Sequence, residues 1–273
     1  MRHALQEEHL ELLYQPVVDL ASDQPVAFEA LLRWQHPERG TMAATEVLEI
    51  AEQVGLLAEL STWTLRQACA DAARWSSPAK VAVSFGPTNG LKRHLTENVL
   101  QALARAGLPA HRLELEIAKS ALREQHGMLP LLRQLRQLGV SISVDAARDG
   151  YCSLSSLREF PFDKIKIGRG FTAEIGRSKE TRAIVEAITM LGTNLGMTTL
   201  AQGIEDFEQL ELLRERGCIE GQGLLLGPPL AGRDVNAFIA MRRASGDAAA
   251  RLKAISGPAD RDVETAPDSW RAA

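Results

Sequence analysis

Short strand-like runs alternate with longer helical runs from residue 11 to about residue 243, and this alternation constrains the fold more than any other feature of the chain. Strand patterns occupy 11–20, 26–34, 80–85, 112–118, 141–146, 163–168, 198–204 and 221–227. Helical patterns occupy 44–54, 57–75, 90–106, 128–138, 153–159, 178–195, 206–216 and 233–243. This order predicts a closed parallel barrel inside a ring of helices, and it fits a doubly wound open sheet less well.

The two ends of the chain depart from this regular pattern. The first two strands are joined by the turn-rich ASDQP, which predicts that they are antiparallel neighbours. Residues 245–273 lack strand patterns and mix small and charged residues, so we expect a marginal helix followed by disorder. The sequence therefore predicts one domain at 1–244 and a tail at 245–273.

Charge and cysteine usage exclude several classes of function. A net charge of -4 without a long basic block disfavours a nucleic-acid polymer as partner, although a small anionic ligand fits a locally positive pocket. The three cysteines form no C-x-x-C pair, which indicates a reducing cytoplasm and no disulfide framework or zinc site. No apolar run approaches the roughly 18 residues of a membrane span, and we expect none.

Polar residues recur two positions apart in several predicted strands, and such residues share one face of a strand. For a single strand, a solvated sheet edge explains this pattern equally well. Its repetition favours polar faces that point into the barrel and cluster at the carboxyl ends of the strands, where such barrels place their active sites. The shared faces are Ala27, Glu29, Leu31 and Arg33; Glu114 and Glu116; Ser141, Ser143 and Asp145; and Lys164 and Lys166.

These faces supply the candidate site residues Glu29, Glu116, Asp145 and Lys166, with Arg33 as a fork for phosphate or carboxylate. Buried charges at this density need partners or metal ions. Oxygen-rich surroundings without histidine favour a hard cation such as magnesium, manganese or calcium. Gln222 lies in a GQG turn, where a ligand contact and a plain turn amide are about equally supported.

Several long motifs occur in order: YQPVVDL, FEALLRWQHPERG, FPFDKIKIGRGF, EQLELLRERGC and a QG-x-L-x-x-x-P segment that begins at Gln222. Over about residues 2–243 they resemble the EAL domain, the bacterial cyclic di-GMP phosphodiesterase family. The resemblance implies a TIM-like (β/α)8 barrel with the first strand antiparallel, in agreement with the opening pair. It also implies two divalent metals that activate a water for attack on cyclic di-GMP, giving linear pGpG.

The resemblance assigns roles to positions that match the family motifs. It implies metal ligands at Glu29, Glu116 and Asp145, and catalytic positions at Lys166, which helps to bind the attacking water, and at Glu205. The ligand-binding positions that it implies are Gln15, Glu29, Leu31, Arg33, Gln222 and Pro229.

Other positions depart from the family pattern. Ser84 stands where a metal-ligating asparagine is usual, Ala146 replaces the second aspartate of a pair, and Gln202 replaces a metal-site glutamate. Losing even a second-sphere partner of a metal typically costs about 10 to 100-fold in affinity or activity, and losing a ligand should cost at least as much. The remaining departures are Lys119 for the glutamate that orders the next loop, AARDGYCSL at 146–154 for that loop, and Gly168 for the aspartate after Lys166.

We therefore expect a catalytically degenerate EAL domain that acts in cyclic di-GMP signalling as a receptor or as a protein-interaction module. The alternative is a weakly active, metal-dependent phosphodiesterase with magnesium, manganese or calcium at one residual site. By resemblance, a homodimer is also expected, and the start of the chain is similar to the linkers that join EAL domains to other signalling domains.

Overall fold

A barrel of eight strands forms the centre of the protein, as seen in a computed structural model that describes residues 1, 9–85, 94–118, 128–145, 160 and 162–255, without the side chains of 118, 145 and 246–255. Within these ranges the barrel strands are β1 (Leu10–Asp19), β2 (Pro25–His36), β4 (Lys80–Phe85), β5 (Leu113–Ala118), β6 (Ser141–Asp145), β7 (Lys164–Ile167), β8 (Thr198–Gln202) and β9 (Glu220–Gln222). Two short strands, β3 (Gly40–Ala43) and β10 (Leu230–Ala231), extend the sheet beside β2 and β1.

Within the described residues, the helices fall on helical patterns predicted from the sequence, except for the short helix at 169–174, which the patterns do not predict. They are α1 (Ala44–Gln53), α2 (Leu57–Ala72), α3 (Leu95–Ala106), α4 (Met128–Gln137), α5 (Arg169–Glu174), α6 (Lys179–Asn194), α7 (Phe207–Glu215) and α8 (Val235–Ile255). In α3, Leu95, Val99, Ala102 and Leu103 form the buried stripe of an amphipathic helix. The helix ends at Gly107, whose φ of 64° is the left-handed conformation that favours glycine.

The strand order confirms the predicted topology. Around the barrel the strands run β1, β9, β8, β7, β6, β5, β4 and β2, and β2 then pairs with β1. The first strand is antiparallel to both of its barrel neighbours, whereas the pairings from β2 through β4 to β9 are parallel. The short connection at residues 20–24 reverses the chain directly, while parallel neighbours need a longer crossover.

The segment at 221–227, which the sequence pattern predicts as a strand, pairs with the barrel only as far as Gln222. At Gly223 the backbone lies so close to Ile204 that an added Cβ would be 2.0 Å from the Ile204 carbonyl oxygen. The Leu225 N–H donates to that same oxygen at 3.1 Å. The prediction of a strand over 223–227 is therefore wrong, and a compact loop crosses the end of the barrel there.

Other predictions concern, wholly or in part, residues that the structure does not describe. The predicted helix at 153–159 and the start of the predicted helix at 90–93 lie outside the described residues. The last helix continues across the predicted boundary at 244/245 as far as Ile255, and the tail beyond it is also outside. The boundary of the domain therefore stays a prediction.

Two expectations from the sequence composition concern membrane-spanning helices and the state of the cysteines. Within the described ranges, no helix has both the length and the apolar character that crossing a bilayer requires. Cys69 and Cys218 are buried free thiols. Burial raises the pKa of Cys69 to about 12 and that of Cys218 to about 11, so both thiols stay protonated at neutral pH.

Candidate functional site

The barrel interior contains two stacked layers of charged side chains. We call the layer further from the carboxyl ends of the strands the deep layer; it consists of Lys164, Glu114 and Glu220. Lys164 Nζ lies 2.7 Å from Glu114 Oε2 and 2.8 Å from Glu220 Oε2. The inward direction predicted for the polar faces is thus confirmed for β5 and β7, and the alternative of a solvated edge is wrong for both.

Burial and charge act in opposite directions on the deep layer. Burial alone would raise the pKa of Glu114, but the ammonium of Lys164 lowers it below its ordinary value. Burial also tends to lower the pKa of Lys164, and the carboxylates of Glu114 and Glu220 raise it above its ordinary value. For Glu220, burial outweighs Lys164, so its pKa is raised. The deep layer thus depends on one lysine for its charge balance.

We call the second layer, one side-chain position closer to the carboxyl ends, the mouth layer; it consists of Lys166, Glu29 and Glu116. Lys166 Nζ donates to Glu116 Oε1 at 2.6 Å and to Glu29 Oε2 at 3.2 Å. Ser84, the register partner of Glu116 on β4, donates from Oγ to Glu116 Oε2 at 2.7 Å. Both oxygens of Glu116 are therefore engaged by protein donors.

The two carboxyl groups of the mouth layer differ in their ionisation. Burial raises the pKa of Glu116 to about 7, and the negative charge of Glu29 adds to the rise. Burial also opposes ionisation of Glu29, but the Lys166 ammonium and the Gln222 amide bring its pKa below the ordinary value. Burial disfavours the ammonium of Lys166, yet the two glutamates raise its pKa. At neutral pH the layer thus has an ionised carboxylate at Glu29, an ammonium at Lys166 and an acid at Glu116 that titrates near this pH.

A chain of amides connects the mouth layer to the last strands. Gln202 and Gln222 are register partners on β8 and β9, and Gln202 Nε2 donates to Gln222 Oε1 at 3.3 Å. Gln222 Nε2 in turn donates to Glu29 Oε2 at 2.8 Å and to Gln15 Oε1 at 3.4 Å. A glutamate carboxylate at position 202 could not donate this bond. The amide of Gln202 therefore helps to aim Gln222 at Glu29.

Two crevices open at the carboxyl ends of the strands. The first crevice, of about 550 Å³, extends from Glu116 and Lys166 to α1 and α2, where Leu48, Ser61 and Thr64 line it. The second crevice, of about 390 Å³, lies over the ends of β1, β2, β8 and β9. Both are lined by Glu29, Leu31, Gln202 and Arg169. They are therefore neighbouring lobes with a shared wall.

The structure brings the predicted ligand-binding residues together in the second crevice, although this placement does not test their role. Its walls include Gln15, Glu29, Leu31, Arg33, Gln222 and Pro229. Glu205, predicted as a catalytic remnant, lines the same crevice, while Lys166 lines the first. The ligand set predicted from the sequence is thus contiguous in space.

The predicted metal ligands are placed less completely. Glu29 and Glu116 converge on Lys166, and Asp145 lies on β6 as the register partner of Lys166, with its side chain outside the description. Ala146, Lys119 and the loop at 146–154 lie outside the described residues. Gly168 is buried at the end of β7.

The resemblance implies divalent metals such as magnesium, manganese or calcium, and the described donors do not fit a centre of two such ions. The two carboxylates of the mouth layer already share the Lys166 ammonium, and position 202 offers an amide that is bonded to Gln222. Among the described side chains, no group of three or more histidine, cysteine, aspartate or glutamate residues could hold a metal ion. A single residual site that includes Asp145 stays a prediction.

Arg169 was not among the predicted site residues, yet it lines both crevices and forms an ion pair with Glu205. The pattern of strand faces could not identify it, because it begins α5 just after β7. A usable signal was present in the sequence: Arg169 is a basic residue that follows the strand carrying Lys166 by only a few positions.

Comparisons with known proteins identify the family and agree with the barrel fold. The model of the EAL domain family matches residues 1–229. The chain is 43% identical over 243 residues to an uncharacterized protein, y4lL, of Sinorhizobium fredii, which covers 89% of this chain and 29% of that protein. It is 36% identical over 261 residues to the cyclic di-GMP phosphodiesterase NbdA of Pseudomonas aeruginosa, which covers 94% of this chain and 33% of NbdA.

The fold comparison gives the same family. The solved structure of the MucR phosphodiesterase of Pseudomonas aeruginosa in complex with c-di-GMP has a TM-score of 0.79 and 35% sequence identity to the chain. The match covers 86% of this chain and 97% of that one. By contrast, the chain spans about a third of the length of the curated relatives described above.

Proposed function

Because the chain belongs to the EAL domain family, we propose that it acts in cyclic di-GMP signalling by binding this dinucleotide at the barrel mouth without hydrolysing it. The observation that carries the proposal is the contrast between the two parts of the mouth. The second crevice holds the whole predicted ligand set, whereas the described donors do not fit a two-metal centre.

The second crevice has the chemistry that a cyclic dinucleotide requires. Arg33 offers a guanidinium that matches a phosphate with a pair of parallel hydrogen bonds. Gln15 offers an amide with one N–H and one oxygen lone pair left for a base edge, and Gln222, whose two N–H groups bond Glu29 and Gln15, can still accept through its oxygen. Leu31 and Pro229 supply the apolar contact that a purine ring needs. Relatives named for cyclic di-GMP support this ligand over other anions.

The case against efficient hydrolysis depends on the donors that the chain presents. A two-metal clamp on the attacking and leaving oxygens needs several carboxylates that are available to cations. Here the Ser84 hydroxyl donates to Glu116, Gln202 is a neutral amide, and Ala146 has no carboxylate. In this arrangement Lys166 neutralises the mouth layer itself. Binding without turnover is the function that this geometry supports best.

Weak phosphodiesterase activity is the second candidate. It is favoured by the convergence of Glu29, Glu116 and Lys166, the positions to which the resemblance assigns metal binding and help in binding the attacking water. With Asp145 on the adjacent strand, these residues are the part of the family's catalytic set that could still support slow turnover to pGpG. This activity would require magnesium, manganese or calcium at one residual site.

One experiment separates the candidates. Cyclic di-GMP is titrated by calorimetry into the protein with calcium, with magnesium or manganese, and with EDTA, and pGpG is measured on the same samples. We expect binding heat in each condition and no product above that of a Glu29→Ala variant. Product that disappears in Glu29→Ala would establish the enzyme, and absence of heat in every condition would overturn the receptor and leave a protein-interaction module.

A further inference from the structure

Arg169 occupies the wall that the two crevices share. Four described residues line both crevices, and among these Arg169 carries the positive charge, because the others are Glu29, Leu31 and Gln202. Lys166 lines the first crevice and Arg33 lines the second. A ligand that fills both lobes would therefore pass Arg169 at its middle.

The surrounding residues hold the Arg169 side chain across the mouth. Its stem lies on the bare backbone of Gly203, where an added Cβ would be 2.3 Å from Arg169 Cγ. Gly203 also has a φ of 76°, which other residues rarely adopt. The guanidinium then pairs with the Glu205 carboxylate. A backbone seat and an ion pair thus fix both ends of a side chain that is 70% exposed.

The chemistry of a cyclic dinucleotide matches this position. Its two phosphates belong to the central ring and its two bases project outward, so bases in the two lobes place a phosphate near the shared wall. We propose that Arg169 is a ligand-binding and specificity-determining residue that holds a phosphate of the dinucleotide, as a positive charge fixed by the protein itself. This inference rests on the proposed function, since it concerns the same ligand.

The ion pair with Glu205 orders the Arg169 side chain before any ligand binds. Without ligand, the carboxylate keeps the guanidinium extended over the mouth and lowers the entropy cost of ordering it on binding. A guanidinium has enough donors in its fork to contact a carboxylate and a phosphate together. Gly168 adds no side chain beside this contact, whereas an acid there would compete for Arg169.

The test compares Arg169→Gln with Arg233→Gln in the full chain. Arg233 is a matched control, because it is also exposed, has an acidic neighbour in Asp234 and lines neither crevice. Each protein is titrated with cyclic di-GMP at low and high salt, and with guanosine, which has the base without the phosphate. We expect Arg169→Gln to weaken cyclic di-GMP binding by about 10 to 100-fold, the loss typical of a charge-assisted pair.

Three further readouts separate a phosphate contact from a structural role. Arg169→Gln should bind guanosine as the unaltered chain does, and its affinity for cyclic di-GMP should depend less on salt. Arg169→Lys should restore part of the affinity, because it keeps the charge and loses the fork. Equal weakening toward guanosine, or binding of cyclic di-GMP unchanged by Arg169→Gln, would overturn this role and leave the proposed function intact. Failure of the unaltered chain to bind cyclic di-GMP would overturn both.

Discussion

The deep layer and the mouth layer have the same composition, one lysine and two glutamates, but different surroundings. In the deep layer, Glu114 is 1% exposed and Lys164 is 6% exposed, with the lysine between two carboxylates. In the mouth layer, Lys166 is similarly buried, but Glu29 and Glu116 form part of the wall of the first crevice. Glu114 and Glu116 lie two residues apart on β5, as do Lys164 and Lys166 on β7. This spacing separates charges that stabilise the barrel from charges that can contact a ligand.

The largest effect is expected from Lys164→Met. This change leaves Glu114 and Glu220 buried without their ammonium partner, and breaking a buried ion pair from one side costs about 3 to 5 kcal/mol. Urea unfolding followed by circular dichroism measures the loss. Lys80→Met is the control, because Lys80 is half-buried and donates to the Ser141 hydroxyl rather than to a carboxylate. Similar losses in both variants would contradict a structural role for the deep layer.

Lys166→Met should cost less, about 2 to 3 kcal/mol in the free energy of unfolding. The first crevice admits water to Glu29 and Glu116, and Glu116 can take up a proton because its pKa is already about 7. The same urea assay applies. A loss as large as that of Lys164→Met would show that the open mouth gives no relief and that the two layers are energetically equivalent.

The pH dependence of stability should identify Glu116. Its pKa of about 7 in the folded chain exceeds its ordinary value of 4.5, so the folded state binds more protons between these values. Stability therefore falls as pH rises through this window, at up to about 1.4 kcal/mol per unit. In metal-free buffer, Glu116→Gln should remove this contribution to the decline, and Glu49→Gln on the exposed face of α1 should not. If the free energy of unfolding falls with pH equally in the unaltered chain and in Glu116→Gln, Glu116 is not the group responsible for the decline.

The smallest effect is expected from a change at Arg242, which contacts the loop that forms part of the wall of the second crevice. Arg242 on α8 donates from Nη1 to Asp23 Oδ2 at 2.7 Å and bonds the carbonyl of Leu226, in the loop between Gln222 and Pro229. Arg242→Met should cost about 1 kcal/mol of stability, as for one hydrogen-bonded contact. It should also speed dissociation of cyclic di-GMP, measured by stopped flow, whereas exposed Arg243→Met should change neither. Unchanged dissociation in Arg242→Met would show that α8 does not position the loop.

Much of the fold could be predicted because its signals are local. The alternation of strand and helix patterns gave the barrel, and the short turn after β1 gave its antiparallel first strand. The two-residue period of β5 and β7 also placed Glu114, Glu116, Lys164 and Lys166 inside the barrel. These features require no knowledge of distant contacts.

The differences between the two layers could not be predicted in the same way. The crevices depend on how α1, α2 and the loop after Gln222 pack over the strand ends, which no short window of sequence contains. The local sequence pattern predicts that loop as a strand, because the approach of Gly223 to Ile204, which prevents a strand there, is a long-range contact. Arg169 was missed for a similar reason, since its seat at Gly203 lies on another strand connection.

The central claim is that this mouth keeps a ligand crevice and has lost a working metal centre, and pGpG formation in the Ser84→Asn, Ala146→Asp, Gln202→Glu triple variant tests it most directly. The triple variant, the unaltered chain and Glu29→Ala are incubated at equal concentration with manganese and saturating cyclic di-GMP. We predict product from the triple variant and none from the unaltered chain above the Glu29→Ala background. Turnover by the unaltered chain that equals the triple variant and disappears in Glu29→Ala would contradict the account.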